Sequence, residues 1–299
     1  MLGGLFIILA STLWALDTII RYPLLGSVSA ERIVFTEHLF LVLMFVPYFW
    51  NHFKAFFNLR ISTLFYFFVI GVCGSAIATL TFTKAFMLIN PSLVILLQKL
   101  QPIVAISLAS LVLKETIKKE FILWAAVCLI GSVLISSPDI FPNLKNFDFK
   151  LVLAENSIKG YFYTLIAVVS WGASTVFGKK LVSTGHDEKA VMGGRFLFGL
   201  LFMSLYLFSN PHLAKFDLDF VIWGKILLMV LMAGLVGMYF YYRGLSLISA
   251  KLCALLEMFF PLAAVAINWI FLGRALEPIQ LIGGALLIIG STLIQLRHL

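Results

Sequence analysis

The run Leu93 to Leu113, LVILLQKLQPIVAISLASLVL, is long and apolar enough to cross a bilayer, yet it carries Gln98, Lys99 and Pro102 at its middle. About 20 apolar residues match a hydrocarbon core about 30 Å thick. A lysine at that depth costs about 2.5 to 3.5 kcal/mol on insertion scales, so Lys99 belongs in a protein-lined or watery cavity rather than against lipid. Pro102 lacks an N–H and clashes with the carbonyl four residues earlier, which opens the helix and is expected to leave the Gln98 carbonyl free. Opened backbone at membrane depth persists only beside protein or a polar cavity.

The same device recurs in Leu252 to Leu272, LCALLEMFFPLAAVAINWIFL, where Pro261 lies 159 residues after Pro102 and Glu257 lies 159 after Gln98. Paired interrupted helices in matching positions of two halves point to a transporter site near the bilayer midplane. One helix carries an amine and the other a carboxylate.

Hydrophobic residues make up 62% of the 299 and charged residues 12%, against about 45–50% and 25% in soluble domains. The chain reads as an integral membrane protein. Its net charge of +8 is assigned to loops that set topology, and no basic run with interleaved aromatics supports nucleic-acid binding. Cys73, Cys128 and Cys253 each fall in an apolar span with no close spacing, as small core hydrophobes do rather than disulfides or metal ligands. The N-terminal run MLGGLFIILASTLWALDTII has no basic start or cleavage pattern and is expected to be a retained first helix.

Ten apolar spans are expected, near residues 2–20, 33–50, 62–83, 92–113, 121–136, 160–177, 190–208, 220–242, 250–272 and 279–296. A polar stretch rich in Pro, Asn and charge separates the fifth from the sixth. The expected division is residues 1–136, a linker at 137–158, and 159–299. Ile130-Gly131-Ser132 recurs as Ile289-Gly290-Ser291, Leu88-Ile89 recurs as Leu247-Ile248, and Trp14-Ala15 is answered by Trp171-Gly172. Duplication with five spans per copy places the copies in opposite orientations, an inverted repeat. The expected fold is all-α, a polytopic bundle of ten transmembrane helices in two inverted five-helix repeats.

Ser170-Trp171-Gly172 in a first helix, Arg195-Phe196 in a second, a central proline in the fourth, Leu113-Lys114-Glu115 after it and a Gly-Ser close in the fifth resemble the EamA family of the drug/metabolite transporter superfamily. The resemblance spans nearly the whole chain. Two positions depart from repeat symmetry: Glu37 stands where the second copy has Arg195, and Arg274 where the first has Glu115. The resemblance implies a secondary-active carrier in the cell inner membrane, both termini cytoplasmic, moving a small organic metabolite such as an amino acid or related amphiphile by alternating access, with export favoured. Charges agree with that orientation, since Lys114, Lys118 and Lys119 fall inside against Arg274 outside. A flippase-like relative moving a lipid-linked group, or a membrane-embedded enzyme, are the other classes.

Gln98, Lys99 and Glu257 form the main candidate substrate site, as an ammonium for an anion and a carboxylate for an amine or a proton; a structural Lys99–Glu257 pair is the alternative. Tyr239 and Tyr242, three apart near the end of the eighth span, line a cavity mouth or belong to an interfacial belt. Glu37 and Arg195 are expected to pair across the halves or, for Glu37 with His38, to couple protons; Pro102 and Pro261 are the gating candidates. Asp17 and Arg21 share a helix face and are expected to pair near its end, and Trp14 and Trp171 are assigned to packing. Protease, hydrolase and nucleotide-binding motifs are missing from the sequence, so no catalytic residue, metal ligand or cofactor is assigned. The expected partners are a small-molecule substrate and membrane lipid, and transport is expected to be driven by gradients.

Overall fold

The computed structural model describes the chain apart from residues 1, 58–59, 115, 141–153, 185, 187, 211, 214–218, 246, 249–255 and 299, and apart from the side chains of 47–57, 188, 189, 242, 245 and 298. The described residues are helical, with no strand among them. In chain order the helices are α1 (Leu2–Leu24), α2 (Ala30–Phe57), α3 (Ile61–Leu88), α4 (Pro91–Val112), α5 (Lys119–Ile140), α6 (Glu155–Ser183), α7 (Glu188–Phe208), α8 (Phe220–Met229 continuing through Val230–Val236 and Gly237–Leu245), α9 (Phe259–Leu272) and α10 (Pro278–His298). Among the described residues, eight helices are long and apolar enough to cross a membrane: α1, α3, α4, α5, α6, α7, α8 and α10, with α9 a shorter apolar helix. Large apolar side chains such as Ile122, Leu205 and Ile282 stand exposed on them, a surface that lipid rather than water accommodates. This is a multi-pass membrane protein.

Local chemistry sets several helix ends. Asn90 accepts the Ser92 N–H on its side chain at 3.0 Å and Pro91 follows it, so α4 starts with a capped turn and a residue that has no N–H to satisfy. Gly273 at φ 63° stops α9 in the left-handed conformation that costs glycine least. Pro138 lies within the last turn of α5, which runs past the expected boundary at Ser136 because the residues after it remain helical. Cys128 is buried and Cys73 partly buried, and Cys253 lies outside the described residues.

The break in α4 takes a form the sequence does not give. Gln98–Leu100 tighten into a single three-residue turn, and the Gln101 N–H donates to the Gln98 carbonyl. That carbonyl, expected to be free, is satisfied by the shorter i→i+3 bond that tightening permits. In α9 a turn at Met258 precedes Phe259, three residues before Pro261, just as Lys99 lies three before Pro102.

A second pair of irregularities carries no sequence flag. In α3 residues Val69–Ile77, and in α8 residues Val230–Val236, widen to π-helical turns. Each lends a carbonyl to a side chain on another helix: Arg195 Nη2 donates to the Gly74 carbonyl at 2.9 Å, and Trp14 Nε1 donates to the Ala233 carbonyl at 3.0 Å. Gly71 and Gly74 let α3 press on α7 and α6, since a Cβ there would meet Phe198 at 2.4 Å and Ser174 at 2.2 Å.

Packing repeats with the sequence. A Cβ on Gly3 would fall against Leu247 and Ile248, and one on Gly160 against Leu88 and Ile89. Helices α5 and α10 cross where Gly131 faces Leu287 and Gly290 faces Cys128. These are the repeat-related positions of one another.

The ends of the bundle differ. At one end the α1–α2, α3–α4 and α9–α10 turns meet: Asn90 Nδ2 donates to the Ala275 carbonyl at 3.1 Å and Arg274 bonds the Tyr22 hydroxyl. Leu24, Val28, Ile33, Phe86 and Leu93 to Leu97 fill that end as a buried core. The interior space lies deeper, toward the other end.

Candidate functional site: an interior cavity in three parts

A space of about 840 Å³ is walled by α1, α2, α3, α6, α7 and α8. This lies within the roughly 300–1,000 Å³ of small-molecule sites. Its lining includes the aromatic Trp14, Trp171, Phe45, Phe196 and Tyr239 and the thioethers Met44, Met192, Met229 and Met238. Such walls fit flat, polarisable rings, because aromatic faces stack and methionine adapts its shape around them. Trp14 packs beside Tyr241 at 5.5 Å between ring centroids, and Trp171 beside Phe82 at 5.0 Å. Both tryptophans, read from sequence as packing residues, also wall the cavity.

A buried charge network forms part of the wall of this chamber. Arg21 Nη2 bonds Glu37 Oε1 at 2.5 Å and Arg21 Nε bonds Asp17 Oδ2 at 2.6 Å, with Thr83 Oγ1 accepting from Nη1 at 3.2 Å. The Arg21 and Glu37 side chains are less than a tenth exposed. This corrects one expectation. Glu37 takes Arg21 as partner where Arg195 was expected, because the long Arg21 side chain reaches from α1 to Glu37 on α2. The Asp17–Arg21 pair forms near the end of α1 as expected and joins the same network. His38 lies next in the wall, with Nε2 2.9 Å from Ser75 Oγ and Nδ1 2.7 Å from the Val34 carbonyl.

A polar neck of about 260 Å³ shares Trp171 and Arg195 with that space and is lined also by Gln98, Gln101, Ser174 and Thr175. Beyond it a chamber of about 420 Å³ follows α4 from Gln98 past Pro102 to Leu113 and reaches Lys179 and Gln295 near the far ends of α6 and α10. Lys99 and Glu257 both line this chamber, and Lys99 Nζ lies 5.4 Å from the Phe260 ring centroid. The tight turn at Gln98–Leu100 aims Gln98 and Lys99 into the space, which is what an opened helix at membrane depth allows.

The cavity gathers most residues singled out from sequence, though in separate parts. Gln98, Lys99, Pro102 and Glu257 line the far chamber, Arg195 the neck and aromatic chamber, and Glu37 and Tyr239 the aromatic chamber. Pro261 is buried in α9. The Tyr242 side chain lies outside the described ones. Sequence reasoning missed Arg21, Ser75, Gln101 and Thr175 as wall residues; Gln101, beside Pro102 in a membrane span, was the one with a readable signal.

The EamA-like transporter family model matches residues 1–137 and again 158–296. The riboflavin transporter ImpX of Fusobacterium nucleatum is 31% identical over 299 residues, covering 96% of this chain and 95% of that protein. The uncharacterized transporter YyaM of Bacillus subtilis is 20% identical over 195 residues, covering 65% of this chain and 61% of that protein. A protein of known crystal structure shares the fold, with a TM-score of 0.60 at 16% identity over 99% of this chain and 97% of its own. With two copies of the family pattern in the sequence and a polar-centred cavity inside a lipid-facing bundle, the chain belongs to the EamA-like transporter family.

Proposed function

We propose that this protein carries riboflavin or a closely related flavin across the cell inner membrane. The observation that carries the reading is the aromatic chamber: a flat heteroaromatic ring fits between tryptophan, phenylalanine and methionine walls, and a charged side offers hydrogen bonds to its polar edge. The 31% identical riboflavin transporter, matched over nearly its whole length, supports the same substrate class. The substrate thus narrows from an amino acid or related amphiphile to a flavin.

In this reading α2 and α9 also cross, giving ten spans in two inverted repeats over residues 1–136 and 159–299, joined by the linker at 137–158. The reciprocal contacts of Gly131 with Leu287 and Gly290 with Cys128 support that symmetry. With both termini cytoplasmic, the sealed end faces out, and the chamber reaching Leu113 and Lys179 faces in. Transport proceeds by alternating access, the halves rocking about the cavity. Pro102 and Pro261 lie at the bends, and the Arg21 network with Glu37 holds the outer side shut.

Binding is tested by titrating riboflavin into purified protein and following the quenching of flavin fluorescence. Saturable quenching that weakens in Trp171→Ala is the expected result. Quenching absent at all concentrations, with the protein folded, contradicts the reading.

A further inference from the structure

The polar neck differs in chemistry from the chambers beside it. Gln98 Oε1 is shut off from solvent and receives no hydrogen bond. A buried acceptor left without a donor is unfavourable, and chains retain one where a ligand or water supplies the donor. Across the neck, Gln101 Nε2 reaches Thr175 Oγ1 only at 3.4 Å, while the Thr175 hydroxyl donates to the Trp171 carbonyl at 3.0 Å. Gln98, Gln101 and Thr175 thus line one narrow polar space, with the Gln98 carbonyl oxygen buried and unpaired at its wall.

A group that fits must donate to Gln98 and accept from the glutamine amides. Carboxylate and phosphate only accept, so they leave Gln98 Oε1 unmet. An ammonium donates, but it would lie beside the Arg195 guanidinium that lines the same neck. A neutral hydroxyl does both without charge.

We propose that the neck is a polyol subsite that holds the hydroxyl-bearing ribityl chain of a flavin while its ring lies in the aromatic chamber. Trp171 lines both spaces, so a ring stacked on it directs its side chain into the neck. The assignment rests on the flavin reading above, and it names Gln98 and Thr175 as residues that select for the side chain and not the ring.

The test compares riboflavin with lumiflavin, which keeps the ring and carries a methyl in place of the ribityl chain, in equilibrium titrations of the purified full-length protein. Wild type is expected to bind riboflavin more tightly. Gln98→Leu is expected to shift the riboflavin-to-lumiflavin affinity ratio about tenfold toward lumiflavin, and Thr175→Val is expected to shift it the same way by a smaller factor. An unchanged ratio in both variants overturns the subsite. If Gln98→Leu fails to fold, judged by thermal unfolding, the Thr175→Val ratio decides alone: a shift supports the subsite and no shift overturns it. Wild-type protein that binds neither compound overturns the flavin reading itself, a result separate from an unchanged ratio.

Discussion

Arg21 on α1 donates to Glu37 on α2 at 2.5 Å, and the same guanidinium holds Asp17 at 2.6 Å. One cation thus answers two carboxylates in a mostly buried network at the chamber wall. Removing it strands both, and breaking a buried pair in this way costs about 3 to 5 kcal/mol. Arg21→Met is expected to lower the thermal unfolding midpoint in detergent sharply, and Arg21→Lys by less, since an ammonium keeps the charge but lacks the fork. An unchanged midpoint in Arg21→Met contradicts the network.

Helices α5 and α10 cross backbone to backbone at Gly131 and Gly283. A Cβ on Gly131 would lie 2.7 Å from the Gly283 carbonyl oxygen, and one on Gly283 2.6 Å from that of Gly131. Neither neighbour is a flexible side chain, so the helices must separate. Gly131→Ala is expected to destabilise by about 1 to 3 kcal/mol, the usual range for overpacking. Thermal unfolding of this variant against Gly178→Ala, whose Cβ meets nothing within 4 Å, checks it; equal midpoints contradict the crossing.

How much of this was legible in the sequence depends on the kind of signal. Pro102 and Pro261 announced the bends because proline removes a specific donor wherever it stands. Gly131 and Gly290 announced the duplication, and the structure adds that both lie where α5 and α10 cross. The Arg21–Glu37 contact was not legible: the residues are 16 apart on two helices whose relative rotation no periodicity fixes, and symmetry pointed instead to Arg195. The wide turns at Val69–Ile77 and Val230–Val236 contain no proline, so only the tertiary contacts of Gly74 and Ala233 reveal them. Trp14 and Trp171 looked like packing residues because an aromatic side chain has the same sequence signature facing a helix or a cavity.

Lys99 Nζ stands 5.4 Å from the centre of the Phe260 ring, joining α4 to α9 at the two bends. Away from bulk water such a cation–π contact contributes about 0.5 to 2 kcal/mol. A double-mutant cycle of Lys99→Met and Phe260→Leu, read by thermal unfolding, is expected to give a coupling energy in that range. Strictly additive single changes contradict the contact.

Flavin transport through the cavity, as proposed above, is measured most directly as flux of radiolabelled riboflavin into proteoliposomes holding the purified protein. The expected result is saturable, protein-dependent uptake that unlabelled riboflavin competes away and that trapped internal riboflavin accelerates by exchange. Uptake no faster than in protein-free vesicles, under conditions where the same preparation exchanges amino acids saturably, contradicts the account.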